Sequence, residues 1–84
     1  MSQVFLVTGS SRGLGRALVE TALQAGHRVL ATARDPRALD GLRASYGDAL
    51  ATAPHDVTDP AAAERAVAEA VARFGRLDVL VNNA

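Results

Sequence analysis

The 84-residue sequence contains no cysteine, and all nine of its basic residues are arginine, with no lysine among them. Without cysteine there is no disulfide framework and no thiolate metal site. The two histidines, His27 and His55, stand apart with no ligand partner at metal spacing, so both read as loop or surface residues. Charge of either sign is not in excess. Nine basic residues balance nine acidic ones for a formal net charge of +0. That balance removes the electrostatic footprint expected of a nucleic-acid or anionic-membrane binder. No apolar run approaches the ~20 residues that span a bilayer. The glycine-rich turn at residue 9 leaves no room for a signal peptide, so a soluble cytoplasmic protein is expected. Hydrophobic residues make up 49% of the chain and charged residues 21%, a composition suited to burying a core. The length allows one domain at most.

Periodicity then supplies an alternating order of elements. Val4 to Val7 is an unbroken apolar run, as expected of a parallel strand covered on both faces. A helix is expected from Leu14 to Ala25, with Leu14, Leu18, Ala22 and Ala25 along its apolar stripe and Gly26 as its cap. The second strand lies within Arg28 to Ala33. Asp35-Pro36 places a capping carboxylate before a proline at the first helical position, which predicts a helix from Pro36 to about Ser45. Gly41 inside it costs about 1 kcal/mol relative to Ala. A short strand spans Ala49 to Ala53. Asp59-Pro60 repeats the capping device ahead of an alanine-rich helix, with Ala63, Val67, Ala70, Val71 and Phe74 on one face and Gly75 at its end. A fourth strand covers Asp78 to Asn82. Strands alternating with helices imply right-handed crossovers and a parallel sheet with helices on both faces. The expected strand order is 3-2-1-4, a three-layer Rossmann-type arrangement forming the N-terminal part of a doubly wound fold. Its order reverses between strands 1 and 4, and ligands bind at such a switch point.

The run Thr8-Gly9-Ser10-Ser11-Arg12-Gly13-Leu14-Gly15 falls at that point. Strand, glycine turn and helix together form a dinucleotide-binding layout. The first turn of the helix has N–H groups without intrahelical partners at the positive end of the helix dipole. An anion is held there without a charged side chain. Gly9 is expected to make the turn, Gly13 to let phosphate approach, and Gly15 to let the helix pack on the strand. Leu14 contributes only its backbone N–H. Ser10 and Ser11 either donate hydroxyl hydrogen bonds to phosphate or ribose or simply serve the turn.

Three pieces, taken together, resemble the short-chain dehydrogenase/reductase family. The glycine run matches its T-G-x-x-x-G-x-G turn. His55-Asp56-Val57-Thr58 carries its Asp-Val pair. Asn82-Asn83-Ala84 matches N-N-A-G without the final glycine. The resemblance covers the whole chain, with the pieces in family order. It implies that Asp56 bonds the adenine amino group, that Val57 packs on the adenine, and that Asn83 and Ala84 touch the cofactor while Asn82 holds the sheet. The NAD-type aspartate of the family aligns with Ala33, and Arg34 follows. A carboxylate is thus absent where it would repel a 2′-phosphate, and a guanidinium stands where it would grip one. Arg12 is a second cation nearby. NADP is preferred over NAD, with Asp35 read as a helix cap and not as a ribose ligand.

The family's catalytic Ser and Y-x-x-x-K follow N-N-A-G, where this chain stops. The only tyrosine is Tyr46, and Leu50 stands where that motif would require lysine. The expectation is the cofactor-binding portion of an oxidoreductase that moves hydride between nicotinamide and a carbonyl or alcohol substrate. No catalytic residue is assigned. The full-length protein is implied to be a homo-oligomer. A non-catalytic dinucleotide-binding module, or a truncated gene product, is the alternative.

Overall fold

The computed structural model describes residues 2–9, 13–54 and 59–82. Its four parallel strands are β1 (Val4–Val7), β2 (Arg28–Ala33), β3 (Leu50–Pro54) and β4 (Val79–Val81), in spatial order β3-β2-β1-β4. This is the expected order, with the switch between β1 and β4. The register sets Leu6 beside Leu30 and Leu80, and Leu30 beside Ala51. The helices are α1 (Gly13–Gln24), α2 (Asp40–Tyr46) and α3 (Ala62–Phe74). Among the described residues no helix is long and apolar enough to cross a membrane.

Alternation along the strands divides the core in two. Val7, Val29, Ala31, Ala33 and Leu50 pack with Val19, Ala22 and Leu23 of α1 and with Leu39 and Leu42. On the other face Leu6, Leu30 and Ala51 pack with Ala66 and Ala70 of α3. Leu6, Leu30 and Leu39 are fully buried. A fully buried leucine contributes about 1.5–3 kcal/mol relative to an exposed one, so these three anchor the three layers.

Two helix faces differ from the periodic reading. In α1 the buried residues are Gly15, Val19, Ala22 and Leu23, whereas Leu14 is 68% exposed. Leu18 is half-buried and Ala25 exposed. The cause is Gly15. Lacking a side chain, it lets the helix press against the sheet, and Val19, Ala22 and Leu23 follow it at helical spacing. In α3 the buried line is Ala62, Ala66 and Ala70. Val67 and Phe74 flank it half-buried, Ala63 is exposed, and Val71 is 45% exposed. Close approach of the helix to the sheet selects the smallest side chains for the contact line, so alanines displace the valines.

The Asp-Pro devices wind more tightly than expected. Pro36–Leu39 is a 3₁₀ turn leading into α2. Asp35 accepts from the N–H of Arg37 at 3.1 Å, and its carbonyl accepts from Ala38 at 3.2 Å. The second device is built alike. Asp59 accepts from Ala61 at 2.9 Å, its carbonyl accepts from Ala62 at 3.1 Å, and α3 begins at Ala62, not at Pro60. A proline without an N–H favours these i→i+3 closures at a helix start. β3 runs one residue later than expected because Gly47–Ala49 forms a further 3₁₀ turn. Gly75 ends α3 at φ +82°.

Candidate functional site

The carboxyl ends of β1 and β4 are joined by Thr8. Its N–H donates to the Val81 carbonyl at 3.0 Å, and its hydroxyl donates to Oδ1 of Asn82 at 3.2 Å. Asn82 thus ties the sheet together, the role foreseen for it. The amino ends of the same two strands are clamped by Asp78. Its carboxylate accepts from the Val4 N–H at 2.8 Å, and its own N–H donates to the Val4 carbonyl at 2.9 Å. Arg76 pairs with that carboxylate. The Arg76 hydrogen bond first, and the Val4 N–H second, hold the Asp78 carboxyl below its ordinary pKa. Nothing in the local sequence signals the clamp, because its partner lies 74 residues away.

Between these ties the chain leaves β1 through Gly9 and enters α1 at Gly13, both at φ +66°. This conformation is open to glycine and strained for other residues. At Gly13 an added Cβ would meet no atom within 4 Å, so open space lies above the helix start. Gly15 is buried against the strand, and the exposed Leu14 side chain leaves its backbone as the part of that residue within the turn. Gly9, Gly13, Leu14 and Gly15 lie at the carboxyl edge of β1. Ser10, Ser11, Arg12, Asp56, Val57, Asn83 and Ala84 lie outside the described residues.

The end of β2 carries two neighbouring charges in different situations. Asp35 is engaged on both oxygens. Oδ1 accepts from Nε of Arg37 at 3.0 Å, and Oδ2 accepts from Nη2 at 2.9 Å. The Arg37 side-chain bonds, then the Arg37 backbone N–H, lower the Asp35 pKa. Arg37 is correspondingly raised by Asp35. Arg34 is exposed, and among the described residues no hydrogen bond or ion pair engages it. Asp35 therefore acts as the cap it was read to be, and Arg34 is a cation with its donors open.

A third arginine, which sequence reasoning passed over, connects the two regions. Nη1 of Arg16, on the first turns of α1, donates to the Ala38 carbonyl at 3.0 Å. Its Nε pairs with Glu20 at 3.2 Å. The Arg16–Glu20 spacing of four was legible, but an acceptor that is a backbone carbonyl carries no sequence signal. A hollow of about 460 Å³ beside Arg43, Asp48, Arg73 and Phe74 opens at the start of β3. That is the amino end of the sheet, opposite the edge where such folds take ligands. Tyr46 packs half-buried against the α1 side of the core. His27 accepts from the Gln3 N–H at 3.0 Å and lies 5.2 Å from the Phe5 ring.

A family profile described as short chain dehydrogenase matches residues 3–84. The chain belongs to the short-chain dehydrogenase family. Solved structures of the family superpose closely on it. A short-chain dehydrogenase from Streptomyces avermitilis has a TM-score of 0.93 and 49% identity over 100% of this chain and 31% of that one. A 3-ketoacyl-(acyl-carrier-protein) reductase from Brucella melitensis, complexed with NADH, has a TM-score of 0.86 and 32% identity over 98% of this chain and 34% of that one. The NADP-dependent 3-hydroxy acid dehydrogenase YdfG of Escherichia coli K12 is 40% identical over 96% of this chain and 33% of its own length. The chain spans about a third of the length of the relatives it matches. The described part matches the Rossmann region of this family.

Proposed function

We propose that this chain is the cofactor-binding portion of an NADP-dependent oxidoreductase that transfers hydride between the nicotinamide and a carbonyl or alcohol substrate. The observation that carries the cofactor choice is the open Arg34 at the end of β2, beside an Asp35 whose carboxylate Arg37 already occupies on both oxygens. A 2′-phosphate offers the guanidinium a charge-assisted partner, which roughly doubles the strength of a neutral hydrogen bond. The one carboxylate at that strand end, Asp35, is drawn toward Arg37 by both of its oxygens, which favours the cap over a ribose 2′-hydroxyl as its role.

The chain's residues fit the rest of a dinucleotide. Gly9 and Gly13, with Ser10 and Ser11 between them, would take the pyrophosphate at the start of α1, with the N–H groups of Leu14 and Gly15 nearby, and Arg12 would be a second cation for the 2′-phosphate. Asp56 and Val57 would meet the adenine, and Asn83 and Ala84 the ribose, as the family resemblance implies. The bound cofactor supplies the hydride chemistry. The Ser and Tyr-x-x-x-Lys that would position the carbonyl and move its proton have no counterpart among these residues. A positioned acid is typically worth about 10²–10⁴-fold, so the 84-residue chain is expected to bind cofactor and turn over nothing. The YdfG relative is NADP-dependent, while the Brucella reductase was solved with NADH, so the family by itself leaves the choice to local residues such as Arg34.

Equilibrium titration of the chain with NADP and NAD tests the assignment, alongside NADPH oxidation with a panel of ketones and aldehydes. Tighter binding of NADP and no oxidation are expected. Equal binding of the two dinucleotides would remove the NADP assignment. Oxidation abolished by substituting Tyr46 would place the chemistry inside this chain and overturn the reading of it as a binding portion.

A further inference from the structure

Arg16 is not part of the glycine turn, yet it is the one described side chain that bonds both the cofactor helix and the segment after β2. It projects from α1 one turn beyond Gly13. Nε is oriented by Glu20 at 3.2 Å, and Nη1 donates to the Ala38 carbonyl at 3.0 Å. Ala38 belongs to the 3₁₀ turn Pro36–Leu39, which follows directly on Arg34 and Asp35. The front of that turn is held by Asp35 through the Arg37 N–H at 3.1 Å. Below it, Leu39 is fully buried in the cluster containing Val19 and Leu23 of α1. The turn is therefore fixed at its front by a cap, beneath by a leucine, and on its outer side by Arg16. Of these, only the Arg16 bond joins it through a polar contact to the element that opens at the phosphate end of the site.

We propose that Arg16 is a positioning residue for 2′-phosphate recognition, holding the segment that carries Arg34 at a set distance from the amino end of α1 through the Ala38 carbonyl. This rests on the reading of Arg34 as the 2′-phosphate ligand. The physical reason is pre-organisation. A long exposed arginine such as Arg34 contributes to selectivity only to the extent that its backbone is held before the ligand arrives. The pyrophosphate fixes the ligand at one end of the site, so a loose Arg34 segment would spend part of its contact energy on ordering itself. Arg16 removes that cost without touching the ligand.

The test uses two probes that differ only in the group at issue, adenosine 2′,5′-bisphosphate and adenosine 5′-monophosphate. Binding of each is measured to the unaltered protein and to the Arg16→Ala, Arg16→Lys and Glu20→Gln variants. The unaltered protein is expected to favour the bisphosphate. Arg16→Ala is expected to lose about tenfold of that preference, within the span carried by residues that touch neither ligand, with monophosphate binding and melting temperature unchanged. Amide exchange at Arg37 to Asp40 should quicken in the same variant. Arg16→Lys, which keeps a donor that reaches the carbonyl, should recover most of the preference. Glu20→Gln keeps an acceptor for Nε and removes a negative charge from the helix, and is expected to leave the preference unchanged.

The outcomes separate the two ideas. No preference in the unaltered protein would defeat the Arg34 reading and the Arg16 proposal with it. A preference that survives Arg16→Ala would overturn the Arg16 proposal alone. A preference that rises in Glu20→Gln as far as it falls in Arg16→Ala would show a field effect of charge in place of a tether, and would also overturn it. Should Arg16→Ala lose its cooperative melt, Arg16→Met keeps the apolar stem and carries the same comparison.

Discussion

Arg34 and Asp35 are adjacent, oppositely charged and both exposed, but only Asp35 is engaged within the fold, by Arg37. The consequence is testable at Arg34. Arg34→Asp, with Ala33 unchanged, removes one charged contact to the 2′-phosphate and adds a repelling carboxylate. Loss of a charged hydrogen bond costs about 1.5–3 kcal/mol, so NADP affinity should fall by about tenfold or more while NAD affinity is kept. Equal affinity for both cofactors before and after the change would sink the assignment. At Asp78 the residue-scale prediction concerns pH. Its folded pKa lies below the ordinary carboxylate value because Arg76 and the Val4 N–H both favour the charged form. A depressed folded pKa stabilises the fold above the unfolded value of about 3.9, and that stabilisation is lost as pH falls through the folded value. Asp78→Asn should therefore melt lower than the unaltered chain near neutrality, and the gap should close below about pH 3.9. A gap that widens on acidification would contradict the clamp.

At the scale of the element, helix ends and helix faces follow different rules here. Gly75 closes α3 at φ +82°, and an added Cβ there would meet no atom within 4 Å. The cost of Gly75→Ala is thus purely that of the left-handed backbone, about 1–2 kcal/mol. Urea unfolding should show a lowered midpoint with an unchanged slope. An unchanged midpoint would mean that the cap relaxes without strain. The carboxyl ends of α2 and α3 were legible because glycine acts locally, while both starts fell later than Asp-Pro suggested, α2 at Asp40 and α3 at Ala62. The faces of α1 and α3 were read only in part, with Ala22 and Ala70 buried as expected, because a helix of mixed small and large apolar residues supports more than one stripe. The sheet chose the stripe that lets it come closest, through Gly15 in α1 and through Ala62, Ala66 and Ala70 in α3.

For the whole molecule, the sheet has one flank that is sparsely covered. Among the described residues β4 pairs with β1 alone, over three residues, and Leu80 on it is 56% exposed. An open strand edge beside exposed apolar side chains invites pairing with another chain, and a core of this size has only a few kcal/mol in reserve. The 84-residue chain by itself is expected to associate as its concentration rises, which sedimentation velocity would follow. Leu80→Lys should shift it toward monomer, since a charge on an edge opposes pairing. A monomer at all concentrations with a sharp reversible melt above roughly 65 °C would contradict this.

Periodicity and punctuation determined the elements and their order. Apolar runs bounded by glycines and Asp-Pro pairs can only alternate as strand and helix, and the handedness of the crossovers then leaves few sheet orders open. The glycine turn at the switch point was legible for the same reason, since Gly9 and Gly13 sit at backbone angles that other residues reach only with strain. Tertiary structure decided what depends on partners distant in the chain. Asp78 meets Val4, Thr8 meets Asn82, and Arg16 meets the carbonyl of Ala38, none of them at a helical or strand spacing. The difference between Arg34 and Asp35 lies between the two. Arg37 stands only two residues from Asp35, but it is the 3₁₀ turn Pro36–Leu39 that brings its guanidinium onto that carboxylate and leaves Arg34 exposed at the end of β2.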